Sequence, residues 1–141
     1  GHMFWLENAY PVLKNSLQTL IIETDDCHGD FSTYDAPYAG DLIRFGLVKW
    51  RQVKAMERFR RGSVVFYRTH GYMSGGTIHH PHSQIVGIAH YDYHVDIQSC
   101  HFSVTPILCE EAIEVNLSLR PLIGFHETNL ILSDAQQLTQ S

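Results

Sequence analysis

His80-Pro81-His82-Ser83-Gln84 sets two imidazoles and a carboxamide at every second position, directly after the glycine-bearing segment Gly71-Tyr-Met-Ser-Gly-Gly-Thr77. In an extended segment side chains repeat with a period of two, so His80, His82 and Gln84 project to one face. Such a row suits the handling of a phosphate. A neutral imidazole can attack phosphorus or bind a metal, and a carboxamide can donate to a phosphoryl oxygen without adding charge. The chain also holds ten histidines, so the spacing by itself reads equally well as a chance row of surface imidazoles. Gly75, Gly76 and Thr77 can let the backbone approach a phosphate closely, because glycine carries no side chain. Taken alone, the same residues read as a tight turn.

Positioning that row requires strands on either side of it. Gln18-Thr-Leu-Ile-Ile-Glu-Thr24 is rich in β-formers, and the polar stretch from Asp25 to Thr33 reads as a loop. A helix is expected next, with Asp35 as N-cap and Pro37 in the first turn. Leu42, Phe45, Val48 and Ile43, Leu47, Trp50 then recur at helical spacing as far as about Glu57. Gly62 ends that region. Ser63-Val-Val-Phe-Tyr-Arg68 reads as a strand entering the glycine segment, and Ser83 to Ala89 as its continuation or partner. Further on, Ile113, Val115, Leu117 and Leu119 alternate with polar residues, the pattern of a half-buried strand. Phe125 to Leu132 supplies another apolar run, β-like or a short helix. One long helix among several strands without βαβ alternation gives an α+β class, an antiparallel sheet with the helix on one face. Neither an internal repeat nor a linker is visible.

The 141 residues, 44% hydrophobic, are enough for a single core that buries roughly 68% of the unfolded surface. We therefore expect one domain over residues 4–132, with 1–3 an expression remnant and 133–141 a frayed polar tail. A net charge of −5 argues against nonspecific nucleic-acid binding, which needs clustered Lys and Arg. Arg58-Phe-Arg-Arg61 is the basic cluster, and it reads as a solvated helix end. Cys27, Cys100 and Cys109 form no CxxC pair, and an odd number makes no complete disulfide framework. With no signal peptide and no apolar run long enough for a membrane, a cytoplasmic location is expected.

Three segments carry a family resemblance. Phe66-Tyr-Arg-Thr-His-Gly71, followed by Ser74-Gly-Gly-Thr-Ile-His-His-Pro-His-Ser-Gln-Ile-Val86, resembles the active-site strand and loop of galactose-1-phosphate uridylyltransferases, part of the histidine-triad superfamily. Asn8-Ala-Tyr-Pro-Val-Leu13 is similar to that family's Asn-x-Tyr/Phe-Pro-Ala-Leu segment. Ile21-Ile-Glu-Thr24 with His28 is similar to its Ile-Glu-Thr-Pro-x-His strand end. The matches occur in the same order and span residues 8–87, whereas the C-terminal third matches no such motif. The chain looks most like a small bacterial branch of the group, and the implied fold has the same α+β architecture.

The resemblance implies that His82, the second histidine of His-Pro-His, is a nucleophile that attacks the α-phosphorus of a nucleotide. A covalent nucleotidyl-histidine would result. Gln84 would hydrogen-bond the phosphoryl oxygens. Hydrolytic histidine-triad enzymes carry a third histidine there, which can protonate a leaving group as glutamine cannot, so the sequence favours transfer. Asn8 falls at a nucleoside-contacting position, though a turn-forming asparagine before Pro11 explains it as well. Thr69 stands where the transferases usually carry asparagine, which implies fewer phosphate contacts on that side. Gly75, Gly76 and Thr77 match the small-residue phosphate loop.

For metal, the family often places zinc between a CxxC pair, the histidine of the Ile-Glu-Thr strand end and the first histidine of His-Pro-His. Here only His28 and His80 stand at those positions, and two imidazoles do not close a four-ligand site. A histidine pair holding the loop is the expected state, with bound zinc as the alternative and no cofactor assured. His70, His79, His90, His94, His101 and His126 match no motif position and read as ordinary residues. A nucleotide sugar or another nucleotide is the implied substrate, and a homodimer is implied by resemblance alone. Because the chain begins almost at the Asn-x-Tyr-Pro segment, a fragment and a minimal branch both fit. Three functional readings follow: a nucleotidyltransferase working through His82, a histidine-triad-type nucleotide hydrolase, and a catalytically idle nucleotide-binding module.

Overall fold

The run of β-formers at Leu17–Ile22 forms most of the second strand of an antiparallel sheet in a computed structural model that describes residues 2–71, 78–122 and 126–132. Strands β1 (Phe4–Glu7), β2 (Ser16–Ile22), β3 (Ser63–Tyr67) and β4 (His82–Ile88) are ordered β1-β2-β4-β3. β4 is thus the partner of β3, and it is flanked on its other side by β2. The register sets Ile22 opposite His82, Leu20 opposite Gln84, and Gln84 opposite Tyr67.

Helix α1 (Ala36–Lys54) starts where the cap chemistry places it. The Asp35 carboxylate accepts from Tyr38 N, and Pro37 occupies the first turn, where no N–H partner is needed. It ends three residues before the expected Glu57. Met56 turns extended, and Glu57–Phe59 forms a separate 3-10 turn. Arg58 lies over the ring of buried Phe59 and Arg60 sits beside Glu57, so the basic cluster is absorbed locally.

One face of the sheet and one stripe of the helix make the core. Leu17, Ile21, Val64 and Ile85 from the strands meet Leu42, Val53 and Phe59, with Trp5, Phe45, Trp50 and Phe66 packed around them. The helical stripe is rotated from the expected one, since Ile43 and Val48 are exposed while Gly46 is buried. The reason is steric. Gly46 provides a flat site against which the Phe66 ring lies, so the helix approaches the sheet through the side that carries Leu42, Gly46 and Val53. His82 and Gln84 alternate with the core residue Ile85, which puts them on the sheet face opposite the helix.

Contacts divide the chain into two compact units, residues 1–92 and 93–141, where the sequence reading drew a single domain over 4–132. In the second unit, β5 (Val104–Glu110), β6 (Ile113–Ser118) and β7 (Thr128–Leu132) form an antiparallel meander. Within the apolar run expected at 125–132, Thr128–Leu132 is thus a strand, and Phe125 lies outside the described residues. The expected alternation along β6 is present, but its burial is inverted: Asn116 and Ser118 are buried, whereas Ile113 and Leu119 are exposed. Burying Asn116 carries little penalty because both ends of its amide are paired, donating to Glu114 and accepting from Asn129. Among the described residues no helix is long and apolar enough to cross a membrane.

Two helical glycines separate packing from propensity. Gly46→Ala drives a methyl into the Phe66 ring and should lose roughly 1–3 kcal/mol through overpacking. Gly40→Ala meets nothing closer than the flexible Arg44 side chain at 3.6 Å and should gain roughly 0.5–1 kcal/mol of helix propensity. Urea melts of the two variants check the opposite signs.

Candidate functional site

A cleft of about 290 Å³ lies where β4 begins and β3 has just ended, lined by Arg68, Thr69, His70, His79, His80 and His82 together with Gly29 and Asp30. His82, at the first position of β4, is 7% exposed. Its Nδ1 lies 2.9 Å from the His80 carbonyl oxygen. A carbonyl only accepts, so Nδ1 carries a proton, and in the neutral ring the lone pair resides on Nε2. The local backbone thereby sets the tautomer of the ring. His80 is held in the same way, with Nε2 donating to the Thr24 carbonyl at 2.7 Å. That bond crosslinks the end of β2 to the start of β4 and leaves Nδ1 as the ring nitrogen with a lone pair.

Behind the cleft lies a buried carboxylate. Glu23 is fully buried just past the end of β2, and it accepts from Arg68 Nε at 2.9 and 3.1 Å, from Ser83 Oγ at 2.5 Å and from Tyr34 Oη at 3.2 Å. Tyr38 Oη donates to its backbone carbonyl. Burial, followed by the negative charge of Glu23, pushes the Tyr34 phenol well above its usual range, so it stays protonated and donates. The network joins β2, β4, α1 and the residue after β3. Sequence reasoning quoted Glu23 within a motif and gave neither it nor Arg68 a role. The signal was available: an acidic residue closing the apolar run Leu20-Ile-Ile-Glu and a basic one closing Val-Val-Phe-Tyr-Arg demand one another if both runs are core strands.

On the rim, Asp30 caps the 3-10 turn Phe31–Thr33 through Ser32, and its second oxygen lies 3.1 Å from His70 Nδ1. His70 and His79, which had read as ordinary, both line the cleft.

Of the expected site residues, His80, His82 and Thr69 come together in the cleft. Gln84 lies one alternation further along the His82 face and outside the cleft lining, where its Oε1 accepts from Tyr67 Oη at 3.2 Å. Burial raises the Tyr67 pKa, which keeps that hydroxyl a donor. Asn8 is also outside the lining. Its Oδ1 accepts from Tyr10 N in the turn that its position before Pro11 suggested, and its own N–H donates to Gln18. His28 is outside as well, with its N–H bound to Asp26. No group of three or more metal-ligating side chains occurs among the described residues. Gly75, Gly76 and Thr77 fall outside the described residues. A second, larger groove of about 400 Å³ beside Trp5 and Arg58 has no imidazole in its lining.

The fold of this chain, antiparallel strands with one long helix, is similar to that of a GalT-like protein from Arabidopsis thaliana. That structure superimposes with a TM-score of 0.66 at 14% identity, over 81% of this chain and 46% of the other. Residues 1–91 match the family described as "Domain of unknown function (DUF4931) N-terminal domain", a stretch that ends within one residue of the first compact unit. The chain belongs to the DUF4931 family. A crystal structure of a DUF4931 family protein from Bacillus cereus is 38% identical, with a TM-score of 0.90 over 98% of this chain. The present chain covers 63% of that protein's length. A search of curated proteins finds no match.

The Asp30 carboxyl is held below its ordinary value of 3.8, first by the Ser32 hydroxyl and N–H, with smaller contributions from His70 and Arg68. A depressed folded-state pKa stabilises above the unfolded value and is lost as pH falls through the folded one. Asp30→Asn retains a competent cap, so it should melt below the parent protein at about pH 7 and converge with it near about pH 2. Thermal melts across that range are the check.

Proposed function

We propose that the first unit is a nucleotidyltransferase-like domain that carries a nucleoside monophosphate on His82. The observation that carries this reading is the nearly buried His82 in a polar cleft, its Nδ1–H fixed on the His80 carbonyl and its Nε2 free to attack. The GalT-like fold supports it at the level of architecture.

In the first step the Nε2 lone pair attacks the α-phosphorus. An N–P bond forms as the bond from phosphorus to the leaving oxygen breaks, and the leaving group departs as a phosphate monoester with that electron pair. The carbonyl on Nδ1–H stabilises the positive charge that develops on the ring. In the second step an acceptor oxygen attacks the same phosphorus, and the N–P pair returns to Nε2. Tyr67 contributes by occupying the oxygen of Gln84, which turns the amide so that its N–H₂ end is the one offered to a phosphoryl oxygen. A nucleotide sugar or another nucleotide ester would supply the transferred group.

One observation favours a second reading, nucleotide hydrolysis. His70 against Asp30 on the cleft rim is an imidazole held by a carboxylate, an arrangement able to protonate a leaving oxygen as Gln84 cannot.

Intact-mass measurement after incubation with nucleotide sugars and dinucleoside polyphosphates separates these readings. An acid-labile nucleotidyl adduct on the parent protein, missing from His82→Ala, is the expected result. Release of a nucleoside monophosphate without an acceptor would mean hydrolysis, and binding with neither adduct nor product would sink both catalytic readings. Tyr67→Phe should slow adduct formation by up to about tenfold, the worth of one neutral hydrogen bond, with His82 chemistry otherwise intact.

A further inference from the structure

We propose that Arg68 is a specificity-determining residue of the cleft, positioned by Glu23 to grip the phosphate next to the one His82 would attack, and so to distinguish diphosphates from monophosphates. The proposal rests on the nucleotide-handling reading of the cleft. It is carried by where the charges lie. Arg68 lines the same cleft as His82, yet its side chain is only 18% exposed. It is anchored through Nε alone in its bonds to Glu23, and the guanidinium carries four more N–H donors, on Nη1 and Nη2, in a rigid planar fork suited to phosphate oxygens.

The anchor is also indexed to the nucleophile. Glu23 Oε1 is shared between Arg68 Nε and Ser83 Oγ, and Ser83 directly follows His82. Arg68 and His82 are therefore held in one frame of short hydrogen bonds, the condition under which an attacked phosphorus and its neighbouring phosphate can be read together. Glu23 cancels the charge of Arg68, so the grip works through directed N–H groups more than through net attraction. That arrangement discriminates by whether a second phosphate is present at the right distance. A buried ion pair is weak evidence for stability, since apolar packing would serve as well. What this pair adds is a fixed guanidinium.

Titration calorimetry with AMP, ADP, UMP and UDP tests the assignment on the parent protein, Arg68→Gln, Arg68→Lys, the paired variant Glu23→Gln/Arg68→Gln, and His82→Ala. The paired variant removes both buried charges together, which guards against unfolding from an orphaned carboxylate and leaves the net charge unchanged. Arg68→Lys keeps a cation for Glu23 while removing the fork. We expect the parent to favour diphosphate over monophosphate by about tenfold, the scale of a charge-assisted bond. The ratio should fall to about one in every folded Arg68 variant, with monophosphate affinity nearly unchanged, and should persist in His82→Ala. An unchanged ratio in those variants, an equal loss for both ligand classes, or a parent protein without the preference overturns the proposal. The two proposals can fail separately: loss of the ratio without any His82 adduct removes the transferase reading and keeps Arg68, whereas an adduct with an unaffected ratio does the reverse.

Discussion

The first unit is organised around a carboxylate with no access to water. Glu23 follows a core strand and is fully buried, a placement that is costly unless its oxygens are filled by donors. Three side chains from different segments fill them, those of Arg68, Ser83 and Tyr34, while Tyr38 from the helix takes the Glu23 backbone carbonyl. The apolar core fixes how the helix lies on the sheet, but it is non-directional. The Glu23 network adds direction. It ties the residue that follows β3, Arg68, and the second residue of β4, Ser83, to the end of β2.

The His-Pro-His entry to β4 belongs to the same constraint. Pro81 has no N–H, and its carbonyl accepts from Glu23 N, while the neighbouring His80 ring donates to the Thr24 carbonyl. The crossing between the end of β2 and the start of β4 is thus closed by one backbone bond and one imidazole. The His80 carbonyl is left to receive His82 Nδ1–H. A residue with an N–H in place of Pro81 would bring an extra donor into this polar corner. His80 acts here as a structural strut, and that role uses one ring nitrogen and leaves the other with its lone pair.

Elements that depend on local chemistry were legible in the sequence. The Asp35 cap and Pro37 marked the helix start to the residue, and apolar β-formers marked β2, β3 and β4. Of the expected period-two row His80, His82 and Gln84, the last two share a face because alternation follows from strand geometry alone, whereas His80 precedes β4 in a bend and turns its ring to the Thr24 carbonyl. Features that need a partner from elsewhere were not legible. The helix stripe turned toward Gly46 because Phe66, twenty residues later, lies against it. Asn116 could be buried because Asn129 is in register across the strand pair. In the site, motif matching selected His80, His82 and Thr69 but passed over Arg68, His70 and Asp30, whose presence in the cleft comes from the Glu23 anchor and the Asp30 turn rather than from any short pattern.

Gln84 shows how the choice between transfer and hydrolysis becomes a question of proton supply. Its carboxamide has no proton to give at neutral pH, and Tyr67 fixes its oxygen as an acceptor. Along the row that begins at His82, therefore, nothing serves as a general acid. A phosphate leaving group needs none, since it departs as a stable anion, whereas an alkoxide does. Among the other imidazoles of the cleft lining, His70 is held by Asp30 and has a side chain 66% exposed, where water competes for the role of proton donor. If His82 is the nucleophile proposed above, the face it shares with Gln84 suits leaving groups that depart without protonation, and acid-assisted chemistry would draw instead on the other imidazoles of the cleft lining, His70, His79 and His80.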